Sequence, residues 1–177
     1  MRAFITGLSD LLHHIARGVA VAAVAGMFIT VMVQVVARYG FSSPPVWTED
    51  VARYMMVWTG LLGATLSFKT RSDAVLMASV FPRRPNPLGL MAEALQSAAV
   101  LTFVLPTVYF CFVGLRGGFS RGYLARQAAL TMDTLGIAMV WIAAIVPVAM
   151  IIILVHLAAR WAEGPSAPQA DMRPGLD

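Results

Sequence analysis

Residues 36–69 read VARYGFSSPPVWTEDVARYMMVWTGLLGATLSFK. The stretch leaves one apolar segment through Arg38, turns at Ser43-Pro44-Pro45, and enters a second apolar segment through Glu49, Asp50 and Arg53. Charges pressed this closely against lipid-length apolar runs are costly. They mark a specific protein contact or a functional site. The rest of the chain reads as a frame around this corner.

Composition sets the class. Of 177 residues, 59% are hydrophobic and 12% charged, and the mean hydropathy is +0.75. A soluble domain is about half apolar and a quarter charged. So few charges cannot cover a soluble surface, which makes this an all-α integral membrane protein. The net charge of +4 is no nucleic-acid footprint, because the arginines sit at the ends of apolar runs, where membrane proteins keep them. The single cysteine, Cys111, lies within an apolar run and allows no disulfide inside the chain. His13 and His14 are neighbours, which point to different sides of a helix. No His-Glu-x-x-His or similar spacing is present, so no metal and no cofactor is expected.

Residues 1–17 are amphipathic. Phe4, Ile5, Leu8, Leu11, Leu12 and Ile15 recur at helical spacing, with Arg2, Asp10, His13 and Arg17 between them. The expectation is a short interfacial helix leading into the membrane. Gly18 to Ala37 is uncharged. About 30 Å of helix spans a bilayer core, and this run reaches that, so it is a retained first span rather than a signal peptide. Gly18, Ala22, Gly26 and Thr30 recur every fourth residue, a row that lets a crossing helix approach closely. Ala and Gly are common in any membrane helix, so composition alone also produces such a row.

At the corner, Ser43 is the expected N-cap, with Pro44 and Pro45 in the first turn, where a missing N–H costs nothing. Glu49 and Asp50 then face the positive end of the helix dipole. Glu49 and Arg53 are spaced to pair along one helix. Glu49, Arg53, Met56, Gly60, Gly63 and Ser67 share one face, polar and then small. Trp47, Val51, Tyr54 and Trp58 share another, aromatic and apolar. The expectation is that the first face meets protein and the second meets lipid.

Lys69, Arg71 and Asp73 close the second span. Residues 74–82 are apolar but too short to cross, and read as interfacial or buried. Arg83-Arg84-Pro85-Asn86-Pro87 is a turn. A third helix begins near Leu88 and is kinked at Pro106. Residues 116–126 form a polar connection. The last uncharged run, Thr134 to Ala159, contains Pro147 and His156. Residues 162–177 read as a disordered tail. The expected organisation is an amphipathic segment at 1–17, a four-helix membrane domain at 18–161 and the tail. The four transmembrane helices are placed at about 18–38, 47–68, 92–115 and 134–159. With the N-terminus inside, Arg2, Arg17, Lys69, Arg71, Arg83, Arg84, Arg160 and Arg173 lie inside. Arg38, Arg53, Arg116, Arg121 and Arg126 lie outside. That balance favours cytoplasmic termini and an outward-facing corner.

No nucleophile with a base, no phosphate-cradling loop and no carboxylate pair deep in a span is present, which argues against an enzyme. A complete secondary transporter needs discontinuous helices and midplane polar sites, and little here supplies them. On these grounds the chain is a small membrane subunit that packs on something larger.

The order Arg38-Tyr39-x-Phe41-x-x-Pro44-x-x-Trp47-x-Glu49-Asp50-x-x-Arg53, followed by Trp58, Gly60 and Gly63-Ala64, resembles the DctQ-like small permease subunit of tripartite ATP-independent periplasmic (TRAP) transporters. Leu135, Gly136, Ile137, Trp141 and Pro147 extend the likeness more weakly. Two positions depart from it. Ser72-Asp73-Ala74-Val75-Leu76 lacks a histidine common there, and Ala138 replaces a frequent proline.

The resemblance implies a bacterial inner-membrane protein that partners a large permease subunit and works with a periplasmic substrate-binding protein. It implies sodium-coupled uptake of an organic acid, with the small subunit bracing the scaffold of an elevator-type transporter. The residues expected to carry partner or helix packing are Arg38, Tyr39, Pro44, Trp47, Glu49, Asp50, Arg53, Gly60 and Gly63. They either lock the first two helices together or hold the large subunit. Membrane lipid is the remaining partner. The competing expectation is a stand-alone four-helix membrane protein or an accessory subunit of another complex.

Overall fold

The computed structural model describes residues 2–70, 87–115 and 117–163. The segments expected at 74–82 and in the tail beyond 163, and most of the turn at 83–87, lie outside the described residues. Among those described, the long elements are helices: α1 (Arg2–Gly40), α2 (Trp47–Thr70), α3 (Pro87–Phe112), a short α4 (Tyr123–Ala128), a single turn α5 (Val140–Ala143) and α6 (Ile145–Glu163).

No proline interrupts residues 2–40, and α1 runs through all 39 of them, about 58 Å at 1.5 Å per residue. Residues 1–17 were expected as a separate interfacial segment. Instead residues 2–17 are the first turns of α1, where Leu12 and Ala16 pack into the same core as Ala20. The charge-free part of α1 still begins at Gly18, and the polar turns before it extend past a bilayer-length run. α1 ends where Ser42 turns left-handed (φ 52), and the Ser43 N–H closes on the Ala37 carbonyl at 3.2 Å.

Ser43 thus caps the end of α1 rather than the start of α2. Both prolines precede α2, and the Thr48 hydroxyl donates to the Pro45 carbonyl at 2.7 Å. Glu49 and Asp50 fall in the first turn, where the helix dipole favours them. α3 starts at Pro87 and carries Pro106 internally. The expected last span from Thr134 is shortened, because Gly136 takes φ 65 and residues 130–139 fold into a tight turn. The Met132 N–H donates to the Ile137 carbonyl at 2.9 Å, and the Met139 N–H to the Leu130 carbonyl at 2.9 Å. Pro147 has no N–H to offer the Ala143 carbonyl, so one bond is missing where α5 meets α6. Ala144 keeps helical φ −60 and ψ −22, and the Val148 N–H still reaches the Ala144 carbonyl at 3.3 Å.

Three helical stretches are long and apolar enough to cross a membrane: Arg2–Gly40, Pro87–Phe112 and Val140–Ala162. α2 has 24 residues but is not among them; its ends carry Glu49, Asp50, Arg53 and Lys69, and glycines and threonines dilute its interior.

Helices α1, α2 and α6 pack against one another, and α3 packs on α6. The core is small and apolar: Ala16, Ala20, Leu62, Ile145 and Ile152, bordered by Leu12, Trp58, Leu61, Leu66 and Val146. Alanines on α1 let the helices approach. Within the four-residue row, Gly26 makes the close contact, because a Cβ there would meet Met55 Sδ at 2.8 Å, whereas a Cβ on Gly18 would meet nothing within 4 Å. The row drifts around α1, so a straight partner touches only part of it.

Candidate partner interface and its two polar ends

One end of the bundle gathers the start of α1 and the end of α6. The Ser9 hydroxyl and His156 Nδ1 share a hydrogen bond of 2.8 Å across 147 residues of sequence. The end of α2 joins them: Lys69 Nζ donates to Asp10 Oδ1 at 2.6 Å and to the Ser9 carbonyl at 3.1 Å. Arg160 donates to the Phe68 carbonyl at 3.1 Å, and its guanidinium stands 4.7 Å from the Phe68 ring centroid. Trp161 Nε1 reaches Ser97 Oγ on α3 at 3.0 Å. α1 and α3 therefore start at the end where α2 and α6 finish. The hydrogen bond and charge of Lys69 hold the Asp10 carboxyl below its ordinary value.

The other end carries the corner. Arg53 pairs with Glu49 at 2.8 Å, as their spacing requires, and both side chains are exposed. The pair stays on α2 and does not reach α1. Asp50 is more enclosed. It accepts a hydrogen bond from Thr134 Oγ1 at 2.7 Å and lies 3.9 Å from Arg53. The turn at 130–139 is thereby fastened to the first turn of α2. Arg38 and Pro44 are exposed, as are Tyr39 and Trp47.

The aromatic face of α2 does not follow the sequence expectation, whereas the polar, small-residue face makes no close contact within the described residues. Thr48, Leu62, Thr65 and Phe68 are buried, and Trp58 borders the core. These lie on the side of Trp47, Val51 and Tyr54. The aromatic face expected to meet lipid therefore packs inside the chain. The face of Glu49, Arg53, Met56 and Gly60 points outward and is exposed. A Cβ built on Gly60 or Gly63 would meet nothing within 4 Å, so neither glycine makes a close helix contact within the chain. The physical reason is that lipid tails are as apolar as a protein core, so hydrophobicity does not distinguish the two.

Sequence reasoning placed Glu49 and Arg53 together but did not pair Asp50 with Thr134, Ser9 with His156 or Asp10 with Lys69. Only Gly136 pointed to a tight turn near Thr134. No group of three or more His, Cys, Asp or Glu that could hold a metal occurs among the described residues.

Comparison with known proteins bears on this geometry. The family model for the DctQ component of tripartite ATP-independent periplasmic transporters matches residues 27–165. The chain belongs to the DctQ family. A protein of Haemophilus influenzae carrying the provisional name of TRAP transporter small permease is 27% identical over 117 residues, covering 63% of this chain and 66% of that protein. The chain thus spans just under two thirds of that relative's length. DctQ proteins are transporter components rather than enzymes. The family match takes in the corner, α2 and the turn at 130–139. It begins after Ser9 and Asp10, so the α1 side of the polar cluster at the other end lies outside it.

Proposed function

We propose that this DctQ-family chain is the small membrane subunit of a TRAP transporter and braces the large permease subunit through the outward face of α2. The observation that carries the reading is the division of α2 into a buried aromatic face and an open face of Glu49, Arg53, Met56, Gly60 and Gly63. Small residues in a membrane helix allow close approach by another helix, and among the described residues none comes within 4 Å of a Cβ built on Gly60 or Gly63. Tyr39, Pro44 and Trp47 would border the same contact, with Arg38 beside them.

In this reading α2 is a fourth crossing. It lies antiparallel to α1 from the Gly26–Met55 contact to the Lys69–Asp10 pair, so it flanks residues 10–26 of α1 and overlaps the charge-free run from Gly18 onward. Four crossings agree with the juxtaposition of Ser9 and His156. The distribution of basic residues supports cytoplasmic termini in a bacterial inner membrane. The transport process would be sodium-coupled uptake of an organic acid delivered by a periplasmic binding protein, with substrate handled by the partners.

The test is co-expression with the large permease subunit and purification through a tag on this chain. Glu49→Lys and Gly60→Trp are expected to lower recovery of the large subunit and to lower uptake in reconstituted vesicles. Full recovery and full uptake in both variants would overturn the proposal, as would uptake by this chain alone.

A further inference from the structure

The described residues of the segment joining α3 to α5, 113–115 and 117–139, fold back on the helix ends. The Gly114 N–H donates to the Gly118 carbonyl at 3.2 Å, and the Gly117 N–H to the Gly114 carbonyl at 2.9 Å. Gly117 and Gly118 hold φ of 77 and 100, which only glycine adopts without strain. Gly122 lies so close to α3 that a Cβ would strike the Phe112 carbonyl. The Thr134–Asp50 bond then fastens the far half of the segment to α2. The result is a low cap on the bundle end.

The cap's surface is the wrong composition for water. Leu115 is 87% exposed and Phe119 78%. Leu130 and Ile137 are exposed on the same segment, and Trp141 is exposed at the first turn beyond. Arg121 and Arg126 are exposed on the same segment. At the same end of the bundle, Tyr39, Phe41 and Val46 are exposed immediately beyond the charge-free run of α1. Aromatic and apolar side chains interleaved with arginines, at the level where spanning helices end, are the chemistry of the headgroup layer. Their apolar parts enter the acyl boundary, and their guanidinium groups reach phosphate.

We infer that the 113–139 cap lies in the lipid headgroup layer, with Leu115 and Phe119 inserted at the acyl boundary and Arg121 and Arg126 on lipid phosphates. It is therefore a membrane-seated collar, not a projecting platform for a protein partner. This inference concerns a surface separate from the outward face of α2, and its failure would leave the α2 reading intact.

The test uses full-length chain in its complex with the large subunit, in bilayers of phosphatidylethanolamine and phosphatidylglycerol. In a Cys111→Ala background, a spin label is attached at Phe119→Cys and separately at Leu115→Cys, so that loss of one variant leaves the other. Relaxation by dissolved oxygen, which concentrates in lipid, is compared with relaxation by a water-soluble nickel chelate. The expected result is a larger oxygen effect at the measured sites. A larger nickel effect would mean a water-facing loop, and protection from both reagents would mean a protein-covered surface. Either would overturn the inference.

Discussion

Ser9→Ala removes the hydrogen bond that joins the first turns of α1 to the last turns of α6. His156 is 3% exposed, and its Nε2 has no hydrogen-bond partner among the described residues. Its Nδ1 bond to Ser9 at 2.8 Å is therefore the ring's one polar contact there. Losing it leaves a buried imidazole wholly unsatisfied, a cost of about 1–3 kcal/mol. At roughly 2–4 °C per kcal/mol for a chain of this size, Tm should fall by about 2–12 °C. Tryptophan fluorescence during thermal unfolding in detergent would follow it, since Trp161 sits on the adjoining turn. Replacing both partners, as Ser9→Ala with His156→Leu, should cost less than the sum of the two single changes, because no orphaned group remains. A Ser9→Ala protein with wild-type Tm, or strict additivity in the double variant, would refute the reasoning.

Three further outcomes follow from the contacts described. The Asp10 carboxyl is held below its ordinary value of 3.8 by Lys69. Its stabilisation is therefore present in full above that value and is lost as pH falls through the lowered one. Asp10→Asn should lower Tm at neutral pH and converge with the wild type in strong acid, and a pH-independent difference would count against the pair. Gly122→Ala should loosen the cap, because its Cβ meets the rigid Phe112 carbonyl rather than a side chain able to rotate away. Faster proteolysis within 113–139 would report this. Gly26→Leu should cost about 1–3 kcal/mol by overpacking, whereas Gly26→Ala should cost less, since only the flexible end of Met55 must move. Tm of the two variants separates these outcomes.

The sequence made the helical class, three of the membrane-length apolar runs and the Glu49–Arg53 pair legible, because each follows from local spacing and apolar length. What it hid has physical causes. α1 continues through residues 2–17, where Leu12 and Ala16 pack into the core, and amphipathicity alone does not show that. The aromatic face of α2 was assigned to lipid but packs inside the chain, since a membrane protein has two apolar surroundings and only contacts tell them apart. Ser9 with His156, and Asp50 with Thr134, are joined across 147 and 84 residues, a distance at which no periodicity operates. Pro147 was visible, but its effect, a single missing hydrogen bond at the Ala143 carbonyl, depended on how much of the preceding run was helical.

The central claim, that the outward face of α2 seats a large permease subunit, is tested most directly by site-specific photocrosslinking in the assembled complex. A photoreactive residue at Met56 or Gly60 should capture the large subunit, while one at Leu62, buried against α1 and α6, should not. Capture from Leu62 with none from Met56 or Gly60 would contradict the account.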